Sequence, residues 1–267
     1  MTNAKAGRLA GRVAIITGAS QGVGLGIARV FAREGCRLML AQRREAEARK
    51  AAQDLAGEFG AEVDAIATDV TKRDQVDRMV AATVERFGRL DVLVNNAGGS
   101  FAKRLEKHTD EDMAAGLDLN FWSAFWAMRA AFPHMKKQGY GRVINLGSLN
   151  GVNAHLFTAQ YNVGKEALRA LTRTAAVEWA EFGINCNTIL PAVTSPAAEE
   201  YMRTSPDMMK AILQQIPRRK MGDAEKDIGP VALFLATEDS AHLTGDTLFV
   251  DGGSHVNGVA WRPEVED

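Results

Sequence analysis

The sequence predicts an α/β protein built on a doubly wound parallel sheet of about seven strands, with helices on both faces. Three observations predict it. Short β-branched, apolar runs alternate with amphipathic stretches of ten or more residues along nearly the whole chain. Several of the amphipathic stretches stop at a glycine, as at Gly35, Gly88 and Gly183. No internal repeat, low-complexity segment or domain-scale linker interrupts the pattern, so residues 1–267 are expected to form a single domain. Crossovers between parallel strands are right-handed, which puts helices on both faces of the sheet.

The elements follow in order. "RVAIIT" (12–17) is the first strand and ends at a glycine loop; "LGIARVFAREG" (25–35) has helical spacing. "RLMLA" (37–41) is the second strand, followed by a charged helix over 45–59 and a third strand in "EVDAIATDV" (62–70). A helix over 72–87 leads to the fourth strand and its loop, "LDVLVNNAG" (90–98). A long helical region over 110–137 contains Pro133, where a bend is expected. "GRVINLGS" (141–148) is the fifth strand, and a helix around Tyr161 runs to Phe182. "INCNTILP" (184–191), a helix over 224–236 and "TLFVDGG" (247–253) complete the core. The segment 191–221 breaks the alternation with prolines and with the methionines Met202, Met208 and Met209. It reads as a lid over a ligand, or as a surface excursion that caps the core. A tail follows over 254–267.

Composition narrows the function classes. With 46% hydrophobic and 24% charged residues, the chain falls among folded globular proteins. A net charge of −1 provides no global field for nucleic acid or an anionic membrane. No run approaches the roughly 20 apolar residues of a spanning helix, and the N-terminus lacks a signal-peptide pattern. A cytoplasmic protein is expected. Cys36 and Cys186 lie in apolar stretches without metal-ligand spacing, so they read as core thiols and no metal site is expected.

"ITGASQGVG" follows the first strand and opens the first helix, with Gly18, Gly22 and Gly24 spaced G-x3-G-x-G. Glycine allows a tight turn and close approach to a pyrophosphate at a helix N-terminus, where free N–H groups and the dipole favour anions. Tyr161 and Lys165, four apart, share one helix face. An ammonium there favours phenolate and would bring the phenol, ordinarily near about 10, closer to neutrality. Taken singly, each of these residues also has an ordinary structural role.

Together the motifs resemble the short-chain dehydrogenase/reductase family, which has a Rossmann-like fold. The resemblance rests on "TGASQGVG", on "NNAG" (95–98), on "YNVGK" (161–165) with Ser148 thirteen positions earlier, on Asn120 in "LDLNFW", and on "LTGDTLFVDGG". It covers Leu9 to Gly253. It implies an oxidoreductase that interconverts a ketone and a secondary alcohol. Tyr161 would be the acid or base, Ser148 would hold the substrate oxygen, Lys165 would bind the nicotinamide ribose, and Asn120 would hold a water that links Lys165 to solvent. The implied cofactor contacts are Gly18, Ser20, Gln21, Gly22, Val23 and Gly24 in the loop, and Asp69 and Val70 at the adenine. Asn95, Ala97 and Gly98 follow the fourth strand. Tyr161 and Lys165 join them, with Pro191, Val193 and Thr194 after the sixth strand.

At the end of the second strand, where an acid would select NAD(H), stands Gln42, followed by Arg43 and Arg44. A guanidinium there can pair with a 2′-phosphate, so NADP(H) is favoured over NAD(H) through Arg43. Gln21 departs from the basic residue that NADP-using relatives often carry in the loop. Pro191-Ala192 departs from the family's Pro-Gly, and Pro196 stands where a cofactor-touching threonine is common. Thr194 or Ser195 would substitute for it. The substrate side is expected from residues 149–160, including Asn150 and His155, from "GGSFAK" and from the lid. His155 also reads as a bystander. The expected partner is a small-molecule ketone or alcohol with an apolar body. The resemblance implies a homotetramer, or sometimes a dimer; the helix bearing Phe121, Trp122, Phe125 and Trp126 and the helix with Leu168, Leu171 and Trp179 read as apolar surface buried between subunits or as plain core packing against the sheet. An NAD(H)-dependent enzyme of the same family, an enzyme reducing a carbon–carbon double bond, and a non-catalytic dinucleotide sensor remain as alternatives.

Overall fold

The computed structural model describes residues 7–193 and 206–256. Thr194, Ser195, Pro196 and Met202, named above, lie outside the described residues. Seven strands form one parallel sheet in the order β3-β2-β1-β4-β5-β6-β7. They are β1 (Val13–Thr17), β2 (Arg37–Gln42), β3 (Val63–Ala67), β4 (Val92–Asn95), β5 (Gly141–Leu146), β6 (Ile184–Pro191) and β7 (Thr247–Val250). The order reverses between β1 and β4, whose register pairs Ala14 with Val92 and Ile16 with Val94. A crevice opens at such a switch point, beyond the carboxyl ends of the strands.

Both faces of the sheet are covered, as buried parallel strands require. Side chains alternate along β1: Ala14 and Ile16 join one core cluster, Val13 and Ile15 the other. The first cluster gathers α1 (Gly22–Arg33) and α2 (Glu45–Phe59) through Ile27, Phe31 and Leu55. The second gathers α3 (Arg73–Phe87) through Val76 and Met79, and the later helices through Met128 and Ala175. Cys36 and Cys186 are fully buried and unpaired, and burial pushes the Cys186 thiol up to about 12.

The expected long helix is three pieces in line: α4 (Asp110–Leu117), a π-helical turn (Asp118–Trp122) and α5 (Ser123–Gln138). Thr109 starts it with a capping box to Asp112. Helix α5 continues through Pro133 to Gly139. A four-residue helix, α6 (Leu149–Val152), precedes α7 (Ala159–Trp179), which a 3-10 turn extends to Phe182. Within the expected lid lies α8 (Pro206–Gln215), with Met209 and Ile216 buried beneath it. A π-helical turn (Ala224–Ile228) runs into α9 (Gly229–Ala236). Of the side chains expected on an intersubunit face, Leu168 is instead buried in the core and Trp126, Leu171 and Trp179 pack against it; Trp122 stays exposed. Among the described residues no helix is long and apolar enough to cross a membrane, and no His/Cys/Asp/Glu group could hold a metal ion.

Candidate active site

A cleft of about 770 Å³ opens at the carboxyl ends of the strands. Its floor is the glycine loop. Gly18 has φ +66° and Gly22 has φ +55°, a region side chains other than glycine's seldom enter. A Cβ on Gly24 would stand 2.5 Å from Gly18 O and 2.6 Å from Asn96 Nδ2. No side chain caps the start of α1 at Gln21, so its first N–H groups stay open to the cleft. The loop is held from the next strand: Asn96 Nδ2 donates to Thr17 O (2.8 Å) and Gly18 O (3.1 Å). Thr17 Oγ1 accepts from the amides of Asn96 and Ala97. A pre-shaped cradle with open N–H groups fits a pyrophosphate, and the cleft has room for a dinucleotide.

At one end of the cleft, Gln42 Nε2 donates to Ser20 Oγ at 2.7 Å, tying the end of β2 to the glycine loop. Arg44 pairs with Glu47 at 2.8 Å, whereas Arg43 lines the cleft without a carboxylate partner among the described residues. Asp69 lines it too. Burial raises its carboxyl, but the hydroxyl and amide of Thr71, with the charges of Arg43 and Lys72, bring it below the ordinary value. Val23, Val70, Ala97, Gly98 and Pro191 also face the cleft.

Seven expected residues do not line the cleft: Gly24, Asn120 and Ser148 pack directly against residues that do, and the other four stand elsewhere. Asn95 is buried and donates to Asn145 Oδ1 (2.8 Å), which leaves Asn96 as the asparagine at the cleft. The alternation explains this: Asn95 shares the face of Leu93, which points into the second core cluster. Ser20 is occupied by Gln42 and does not line the cleft. Val193 packs on the core and bridges to Gly222. His155 is exposed outside the cleft, its amide bonded to Asn150 O, and desolvation pushes its imidazole below the usual value.

The other wall carries the reactive groups. Ser148 ends the loop after β5, and its Oγ accepts from Asn150 N at 3.1 Å and meets Asn150 Oδ1 at 3.3 Å. Tyr161 and Lys165 descend one face of α7 into the cleft. Lys165 is 2% exposed, and its Nζ donates to Leu146 O at 2.7 Å. Burial pushes that ammonium down to about 8. Tyr161 differs from expectation: burial raises its phenol, and a hydrogen bond with Ser148 opposes the rise. Lys165 is not among the causes. Its Nζ is drawn to the Leu146 carbonyl and stands 5.6 Å from the Tyr161 ring centre.

Asn120 sits in the π turn, a frequent mark of functional sites, and is 1% exposed. Its amide donates to Gly99 O and Gly116 O (both 3.0 Å) and its Oδ1 accepts from Gly99 N (3.1 Å). A Cβ on Gly98 would stand 2.9 Å from both Asn120 Oδ1 and Lys165 Nζ, so that glycine lets the two groups converge. Sequence reasoning missed Asn96, Gly147 and the carbonyl of Leu146. Asn96 could have been found from strand parity; nothing in the sequence marks the other two.

A family model described as enoyl-(acyl carrier protein) reductase matches residues 18–255. The chain is 38% identical over 255 residues to the oxidoreductase UcpA of Salmonella typhimurium, covering 93% of this chain and 96% of that one. It is 34% identical over 250 residues to a 12alpha-hydroxysteroid dehydrogenase of a Clostridium species, covering 91% and 96%. Among solved structures it superposes on levodione reductase with a TM-score of 0.88 at 28% identity, over 93% of this chain and 99% of the other.

Proposed function

The chain belongs to the short-chain dehydrogenase/reductase family, and on that premise we propose that it interconverts a ketone and a secondary alcohol with NADP(H) as the hydride carrier. The observation that carries the reading is the convergence of Tyr161, Lys165 and the glycine-loop cradle on one cleft, with Ser148 beside Tyr161. NADP(H), when bound, supplies or accepts the hydride. Ser148 Oγ donates to the substrate oxygen and fixes its position. Tyr161 Oη gives its proton to that oxygen in reduction and takes it in oxidation. Burial keeps the phenol protonated at rest, as an acid must be. Lys165, charged below about pH 8, offers donors to ribose hydroxyls and a positive field as negative charge develops on Tyr161. Asn120 fixes Gly99 and the turn above Lys165, and its remaining acceptor capacity suits the proposed water.

Arg43 supports NADP(H) as the preferred carrier, because among the described residues it is the guanidinium at the end of β2 that makes no salt bridge to a carboxylate. Exposed Trp122, Val163 and Val177 support a homotetramer, and buried unpaired thiols suit a cytoplasmic setting. Light scattering that gave a monomer would overturn the assembly.

The direct test screens ketones and secondary alcohols against both cofactors by nicotinamide absorbance. Tyr161→Phe should lower kcat by about 10²–10⁴ while cofactor still binds. Undiminished turnover would remove Tyr161 from the reaction. Arg43→Ala should cost about ten- to a hundredfold in kcat/KM for NADPH and little for NADH, the loss of one charged hydrogen-bonding partner. A wild type that prefers NADH, or an unchanged preference in the variant, argues for the NAD(H) alternative.

A further inference from the structure

Two segments flank the mouth of the cleft: the loop after β4, whose Gly98, Gly99 and Ser100 line it, and the stretch leading into α7. They are fastened to each other by side chains that take no part in the chemistry proposed above. Gln160, immediately before Tyr161, is 1% exposed. Its Nε2 donates to Phe101 O at 2.8 Å. A carbonyl only accepts, so the amide nitrogen must face Phe101 and Oε1 must face the other way. There it meets His108 Nε2 at 2.9 Å, which makes that ring nitrogen the donor. His108 Nδ1 lies 3.1 Å from Arg104 O, and the ring stacks on Phe101 at 6.0 Å between centres. One further bond joins the segments, from Lys103 N to Phe157 O at 2.8 Å. Phe157 itself holds φ +67°, uncommon for a bulky residue. Helix α4 closes over the joint at Gly116, where a Cβ would stand 2.6 Å from Gln160 Cβ.

We propose that His108 and Gln160 are positioning residues: they clamp the loop Gly99–His108 to the start of α7, and so set the distance between the substrate-side wall and Tyr161. The inference rests on the oxidoreductase reading for its effect on catalysis. The clamp itself stands on hydrogen bonds independent of that reading. It assigns substrate affinity, rather than the hydride step, to residues that do not touch the reacting atoms. Without the clamp the wall moves away from Tyr161, and substrate is held less well while the proton and hydride groups keep their places.

The test uses His108→Leu, which keeps bulk and loses the ring's bond to Gln160, and His108→Gln, which restores a donor near Nε2. Two measurements are made on the whole protein. In hydrogen exchange, His108→Leu should raise the exchange rate of the amides in Gly99–His108, Lys103 above all, by about tenfold, with α7 beyond Lys165 unchanged; His108→Gln should restore most of the protection. In kinetics, with the ketone turned over fastest in the screen as probe, His108→Leu should raise KM about three- to tenfold with kcat within about twofold, and His108→Gln should return KM toward wild type. Unchanged loop exchange in His108→Leu overturns the clamp. A fall in kcat at unchanged KM, or loop exchange that rises equally in both variants, overturns it as well. If wild type turns over no ketone or alcohol, the oxidoreductase reading fails, and the exchange measurement still decides the clamp.

Discussion

Lys165 holds its charge where water barely reaches, 2% exposed and with one carbonyl as its described partner. That placement has a thermodynamic signature. The folded ammonium titrates near about 8 against 10.5 for a free lysine. Between those values the unfolded chain binds more protons, so stability rises with pH across that window and is lowest below it. Lys165→Met should therefore stabilise the protein at pH 7, by at most about 3 kcal/mol at about 1.4 kcal/mol per unit. Its advantage should fade as pH rises through the window, while turnover is lost. Thermal melts at pH 7 and pH 10 check it; a variant less stable at pH 7 would show that the bond to Leu146 O outweighs desolvation. At this scale the sequence was legible where chemistry repeats in fixed spacing, as at Tyr161 and Lys165. Asn95 was named where the structure sets Asn96 at the cleft, because a doublet of asparagines hides which one faces the core. His108 was passed over and Gln160 was placed only within the substrate-side stretch 149–160, since a bond across 52 positions leaves no local trace.

Among elements, the glycine loop is the most constrained. A Cβ on Gly24 would meet backbone and the Asn96 amide well inside contact distance. Gly24→Ala should push α1 off the loop, weaken dinucleotide binding by about tenfold or more and cost about 1–3 kcal/mol, the usual range for overpacking. Fluorescence titration with NADPH and chemical denaturation measure the two effects, and binding at wild-type strength would contradict the cradle. Strand β6 was read to its ends because it starts directly after Gly183 and closes on Pro191. Strands β4 and β7 are shorter than the stretches 90–98 and 247–253 read for them, since ladder partners rather than composition decide where pairing stops. Helix α1 begins three residues before its expected start, because its first turn is built from glycines that read as loop. The two π turns were invisible: their residues suit an ordinary helix, and only tertiary packing inserts the extra one.

For the molecule as a whole, the parallel sheet separates two kinds of work. Its carboxyl edge carries the cleft, and its amino edge carries a network centred on Asp91, whose side chain is fully buried. Asp91 accepts from Val13 N (2.9 Å), Arg12 Nη1 (3.1 Å) and Arg89 Nε (2.7 Å). Arg12 and Arg142 both stack on the Tyr140 ring, at 3.6 and 4.2 Å from its centre. Asp91→Ala should cost about 2–3 kcal/mol, less than breaking a fully enclosed pair because both arginines keep access to water. The kcat of the folded protein should stay within about twofold. Denaturation midpoints alongside kcat test this; a matched fall in kcat would mean the two edges are coupled. The parallel sheet and the helices on both its faces followed from alternation and crossover handedness, whereas neither the strand order nor the path of residues 191–221 did, because no periodicity fixes them. The π turn at Asp118–Trp122 bears on how relatives of this chain are compared. One additional residue turns α5 by about 100° relative to α4, so that α4 serves α7 while α5 serves α3 and the sheet. In an alignment, a one-residue gap at that turn would keep every motif letter and still take away the place where Asn120 stands.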